Sequence, residues 1–200
     1  MSQMGRFETE AMTFETNRSA LTDLSGRPID RARRSGAVAN VVRPAREGVM
    51  AYAVTVETLG PRTLAAVRRR VATNDIGKEF RPALDVVWAF LKKHPGLRTD
   101  GHNVFLYHHG NPEIVQVDFG VEVVRTFTGE GEVQCVTTPA GEAAVVVHRG
   151  RYEKMHAAHH ALHEWCAANR RTIGGYSLEI YGDWSDDPSK LETTIQYLLR

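Results

Sequence analysis

From Met50 to the C-terminus the chain passes through one order of elements twice, and a tandem repeat of this length limits the fold more than any local motif. In the first half Val54 to Val56 reads as a strand, Pro61 opens a turn, and Thr63 to Arg68 is a second strand. A helix follows, then the strand Val104 to Tyr107, a turn at Asn111-Pro112, and a strand from Val115 to Val123. In the second half Glu132 to Val136 is a strand, Pro139 opens a turn, and Ala143 to His148 is expected to pair with that strand. A second helix leads to the strand Ser177 to Tyr181, a turn at Asp187-Pro188, and a final strand over Thr193 to Leu199. The polar run Gly129-Glu130-Gly131-Glu132 joins the halves. Strands alternating with helices in this order predict an α+β domain of tandem duplicated βαββ units, with a mostly antiparallel sheet and two long helices.

The helices carry the periodicity this requires. Ala83, Val86, Val87, Phe90 and Leu91 fall on one face of a 3.6-residue helix, with Pro82 at a first-turn position. Lys92, Lys93 and His94 before Pro95-Gly96 give a C-terminal stop. Met155, Ala158, Leu162, Trp165 and Cys166 form the second stripe. Trp88 and Trp165 occupy similar late positions, and both read first as core side chains.

Upstream the composition changes. Residues 1–48 mix charged and small polar residues without a sustained apolar period, typified by Arg27-Pro28-Ile29-Asp30-Arg31-Ala32-Arg33-Arg34. That reads as a flexible N-terminal extension, with Met50 an alternative functional start, and residues 49–200 as the folded domain (repeat one about 50–126, repeat two about 130–200). A net charge of +1 gives no global field for nucleic acid. No signal peptide or apolar run long enough for a membrane span is visible, so a soluble, cytoplasmic protein without membrane or direct nucleic-acid partners is expected. Cys135 and Cys166 lack the spacing of a zinc or redox pair.

Most local motifs carry little. Asp118-Phe119-Gly120 matches a kinase tripeptide without its companions and reads as strand. His156, His160 and His163 recur at helical spacing with His159 nearby, a pattern that can bind zinc. No acidic or cysteine ligand completes it, so a solvated flank is expected, with no metal and no cofactor. His108-His109 reads as a solvent-facing loop pair.

The strand Gly174 to Tyr181 is different. Glu179 and Tyr181 share one face, Leu178 and Ile180 the other. If the first face is buried, the carboxylate needs partners and becomes a candidate ligand contact; if the strand is an edge, it is merely wet. Phe105 and Tyr107 occupy the matching positions of the first repeat.

Taken together, the duplication, Thr138-Pro139-Ala140-Gly141, His148-Arg149-Gly150-Arg151-Tyr152, the helix ending in Trp165 and Leu178-Glu179-Ile180-Tyr181 resemble the GyrI-like small-molecule-binding domain. That domain also forms the effector-binding half of bacterial multidrug-responsive transcription activators. The resemblance covers about Tyr52 to Arg200 and is densest in the second repeat. It implies a ligand cleft between the repeats, with the family's acid at Glu179 and the following aromatic at Tyr181. Phe105, Tyr107, Tyr152, Trp165, Trp184 and Tyr197 are further expected wall residues. The implied ligands are hydrophobic, aromatic and often cationic. Residues 1–48 lack the periodicity of a helix-turn-helix, so the expectation is a stand-alone polyspecific binding protein acting in drug or toxin sensing or sequestration. Two alternatives come with the family: hydrolysis of cyclopropane-bearing DNA alkylators, with Glu179 catalytic, and inhibition of DNA gyrase as a protein partner. Burial would raise the Glu179 pKa unless a tyrosine hydroxyl donates to it.

Overall fold

The computed structural model describes residues 52–111 and 113–200; the expectations for residues 1–48 and for a start at Met50 lie outside the described residues. Eight strands and two helices follow one another as β1 (Thr55–Leu59), β2 (Thr63–Ala72), α1 (Ile76–Lys93), β3 (Arg98–His108), β4 (Ile114–Val123), β5 (Val133–Thr137), β6 (Gly141–Arg149), α2 (Met155–Ala168), β7 (Ile173–Tyr181) and β8 (Glu192–Leu199). They form one antiparallel sheet in the order β1-β6-β8-β7-β3-β4-β2-β5. Exchanging each element of the first repeat for its counterpart in the second leaves that order unchanged. The repeats are therefore related by a pseudo-two-fold axis through the central β3–β7 pair.

The expected pairing of β5 with β6 is wrong. β6 runs between β1 and β8, while β5 lies on β2. Each repeat donates its first strand to the other. The corners responsible are the proline segments: the Arg62 carbonyl accepts from the Thr138 amide at 2.9 Å, and the Arg62 amide donates to Thr138 Oγ1 at 2.9 Å. These bonds tie the two corners to each other, so the strands they lead into align across the repeat boundary.

A second difference concerns α1, which starts at Ile76 and holds Pro82 inside it. Ile76 is buried and Phe80 packs on the same core, so the apolar stripe continues upstream of the proline and draws those turns into the helix. The missing amide at Pro82 leaves one carbonyl of the preceding turn without its helical partner.

Packing follows the periodicity. Ala83, Leu84, Val87, Phe90 and Leu91 of α1 bury against Ala65, Val67, Val117, Phe119 and Val121 of β2 and β4. Trp88 packs at the edge of this cluster. Met155, Ala158, Leu162, Trp165 and Cys166 of α2 cover Ala144, Val146, Ile195 and Tyr197 of β6 and β8. Both helices thus sit on the strands to either side of the central pair, and β3 and β7 form a buried floor between them. On the opposite face the sheet curls on itself, burying Leu64, Ala66, Val104, Leu106, Leu178 and Leu198 together. The curl depends on small residues: a Cβ on Gly120 would stand 2.9 Å from Ala66 Cβ and 3.0 Å from the Ala65 carbonyl oxygen. Among the described residues no helix is long and apolar enough to cross a membrane.

Candidate functional site

Glu179 lies on the floor between the helices. Alternation along β7 sends Leu178 into the curled face and Glu179 and Tyr181 toward the helices, and the register sets Glu179 directly opposite Phe105 of β3. The Glu179 side chain has almost no contact with solvent, its residue being 3% exposed. Oε2 accepts from the Tyr107 hydroxyl at 2.8 Å and from the Tyr181 hydroxyl at 2.6 Å. Oε1 is 3.2 Å from Nε2 of His159, which descends from α2. This approach is an ion-pair distance, but its direction is not that of a hydrogen bond. His159 Nδ1 is 3.0 Å from the Tyr197 hydroxyl.

These contacts decide the charge. Burial alone pushes the Glu179 pKa up, but the His159 imidazole and the Tyr181 and Tyr107 hydroxyls outweigh it, so the carboxyl is held below its ordinary value. Tyr107 and Tyr181 move the other way, well above the usual phenol, through burial first and then the adjacent carboxylate. Tyr197 is raised as well, by burial, Glu179 and Cys166 in that order. The floor therefore holds an anion with two neutral phenols donating to one of its oxygens.

Rings enclose this anion. Phe105 lies 4.7 Å from Tyr181 and 4.8 Å edge-on from Phe119, and Tyr152 is 5.6 Å from Tyr181. Phe80 of α1 reaches Phe105 at 6.0 Å. The structure thus brings Glu179, Tyr181, Phe105, Tyr107, Tyr152 and Tyr197 together. Trp165 is in the α2 core cluster, which it shares with Tyr197, and Trp184 lies between β7 and β8 with 42% exposure.

Three histidines were misjudged from sequence. His156 and His160 are exposed, but His159 belongs to the buried face. Met155, His159, Leu162 and Cys166 make an i, i+4, i+7, i+11 row, so its spacing within the apolar stripe was the available signal. His109 is not a free loop side chain: its Nε2 is 2.8 Å from Ser177 Oγ and its ring 5.8 Å from Tyr197. His108, on the curled face, has Nε2 2.7 Å from Oδ2 of Asp118, a fully buried carboxylate that Arg68 also grips through Nε at 2.6 Å and a second nitrogen at 2.9 Å. Among the described residues, three buried polar atoms lack hydrogen-bond partners on the helix-facing side of the sheet: Asn103 Oδ1, Thr193 Oγ1 and His159 Nε2. Among the described residues no three His, Cys, Asp or Glu side chains are placed to hold a metal ion.

A separate open cavity of about 620 Å³ lies at the far ends of β3 and β7, lined by His108, His109, Tyr176, Pro139 and Arg200 among others. It contains none of the rings around Glu179. Volume and chemistry thus point to different places. The sequestered carboxylate is the stronger indicator, because an ionised side chain is buried only where its surroundings are built to receive it.

A duplicated, curled sheet with two flanking helices and an acid among rings on its axis defines an α+β small-molecule-binding domain. The chain belongs to the family described as the GyrI-like small molecule binding domain, which matches residues 52–200. Among solved structures it is similar to the EcmrR C-terminal domain, with 23% identity and a TM-score of 0.66 over 76% of this chain and 99% of that one. It covers 59% of the longer EcmrR chain seen in complex with DNA. A hydrolase from Listeria innocua shares the fold at 12% identity and a TM-score of 0.53, over 74% of this chain and 91% of that one. No curated protein matches the sequence.

Proposed function

We propose that the chain binds lipophilic, aromatic, often cationic small molecules polyspecifically between its repeats, with Glu179 reading the charge, in a role of drug or toxin sensing or sequestration in a bacterial cytoplasm. The observation that carries this reading is the division of labour on the carboxylate. Oε2 is saturated by Tyr107 and Tyr181, while Oε1 faces the His159 ring, with Nε2 at 3.2 Å. Flat rings accept many shapes, and each ring face adds about 0.5–2 kcal/mol toward a cation. The single charge then sets the ligand class. Tyr181 and Tyr152 are half-buried and form the outer layer that a ligand has to part or replace.

The test is titration of a fluorescent rhodamine cation, followed by dye polarisation and tryptophan quenching. Glu179→Gln keeps the shape and removes the charge, and is expected to weaken binding by roughly tenfold or more, equivalent to at least about 1.4 kcal/mol. Undiminished affinity in that variant defeats the carboxylate reading.

A hydrolase reading draws on one observation, the close Glu179–His159 pair, which has the makeup of an acid–base couple. With the carboxyl held ionised, Glu179 would serve as a base toward water and His159 as the proton carrier. Mass spectrometry of a cyclopropane-bearing alkylator after incubation decides it: catalytic formation of the water adduct supports an enzyme, and recovery of the intact compound removes the activity for that substrate.

A further inference from the structure

Resting on the binding function proposed above, we infer that His159 is the resident cation of the site, and that a cationic ligand binds by taking its place opposite Glu179 Oε1 and expelling its proton. His159 would then be a specificity-determining residue, setting how strongly the site prefers charged over neutral ligands.

The geometry leads to this in three steps. Glu179 has one oxygen committed to two phenols, and among the described residues the other oxygen has a single close neighbour capable of positive charge, His159 Nε2 at 3.2 Å. The side chains of that pair are 17% and 4% exposed, so solvent does little to offset the carboxylate, and the two phenols on Oε2 leave a cation at Oε1 favoured. The Glu179 contact is electrostatic without being a well-aligned hydrogen bond, so the ring is held through Nδ1 by Tyr197 while no directional bond ties Nε2 to the carboxylate.

Several titratable groups surround the pair. Around His159, β7 contributes Glu179, β8 contributes Tyr197, and β3 contributes Tyr107 with His109 just beyond its end. β6 contributes His148, and α2 itself carries His156, His160 and His163. Among the described residues Glu179 is the one acid paired with His159, and Glu164 on the outer side of α2 pairs with His160 at 3.4 Å. Tyr107 and Tyr197 are held neutral by burial. His109 and His163 are pushed down, first by burial and then by neighbouring imidazoles that include His159; His148 is pushed down mainly by burial, against the opposing bond to the Arg151 carbonyl. His156 and His160 are exposed on the outer side of the helix. Of these rings, His159 is the one placed against the carboxylate.

Two cations cannot share one buried carboxylate oxygen without repulsion, so an incoming ligand cation displaces this charge. The step balances: the ligand's positive charge replaces the proton on His159, which leaves to solvent, and the site keeps its net charge. A neutral ligand leaves the proton where it is.

The experiment is calorimetric titration of the full chain with a rhodamine ester dye of fixed positive charge, in buffers of contrasting ionisation heat, from about pH 5.5 to 8.5. Where His159 is protonated, the wild type is expected to release close to one proton per dye bound, and affinity to rise by about tenfold per pH unit before levelling off. A neutral leuco form of the dye is expected to show neither effect. His159→Gln is expected to bind the cation with no proton release and a flat pH profile. Dye binding by the wild type without proton release at any pH overturns the inference while leaving the binding function intact. So does proton release that persists in His159→Gln but vanishes in His163→Gln. If the wild type fails to bind the dye across the range, the binding function falls and the inference with it. Should His159→Gln fail to fold, the wild-type proton count alone decides.

Discussion

Removing the Tyr107 hydroxyl tests whether the buried anion is held as described. Tyr107 is 8% exposed and Glu179 3%, and their 2.8 Å bond joins a neutral donor to a charge that water cannot reach. A hydrogen bond to a charged group contributes about 1.5–3 kcal/mol, against about 0.5–1.5 kcal/mol between neutral partners. Tyr107→Phe keeps the ring, so packing changes little, and leaves Oε2 with Tyr181 alone. The expected loss is about 1.5–3 kcal/mol at pH 7, or roughly 4–10 °C in Tm for a domain of this size. The same substitution made in Glu179→Gln should cost only the neutral amount, giving a coupling energy near 1 kcal/mol or more. Urea melts of wild type, both single variants and the double variant at pH 7 supply the cycle. A coupling energy within error of zero would refute the account, because the hydroxyl would then be indifferent to the charge beside it.

Other perturbations follow from the same structure. The folded Glu179 pKa lies below the unfolded value, so its contribution to stability is complete above about pH 4.5 and is lost as pH falls through the folded pKa. Urea midpoints in Glu179→Gln should therefore decline less steeply with acid than those of the wild type. Gly120→Ala forces a Cβ to 2.9 Å from Ala66 and should cost about 1–3 kcal/mol, read as a lower Tm; an unchanged Tm would show that the curled face has slack. Thr193 is 1% exposed with an unpartnered hydroxyl, so Thr193→Val should leave stability unchanged or raise it by up to about 1 kcal/mol in the same melts.

The parts of the fold legible in the sequence were those set by local periodicity. The two stripes of α1 and α2 and the alternation that puts Glu179 and Tyr181 on one face depend only on residues a few positions apart. The β1 and β5 exchange was not legible, because a proline corner is compatible with a hairpin, and the choice is made by bonds between Arg62 and Thr138, far apart in sequence. The Arg68–Asp118–His108 group, built on a buried carboxylate, was missed for a related reason. Arg68 and Asp118 are cross-strand partners, and a tripeptide read along one strand says nothing about what the neighbouring strand sets against it. His159 was missed through its residue type: its position lay in the apolar row, but its chemistry suggested the wet side.

The exchange of first strands has a consequence for how the domain folds and fails. With β1 completing the second repeat and β5 completing the first, neither repeat can form its full set of strands from its own stretch of chain. Unfolding is expected as one cooperative event rather than one repeat after the other. Fragments separated at the Gly129–Gly131 turn would still need each other to cover their open strand edges, so the two pieces should reassemble when mixed. The binding floor shares this dependence, for Tyr107 comes from one repeat and Glu179 from the other, and it comes into being only when both halves have mated.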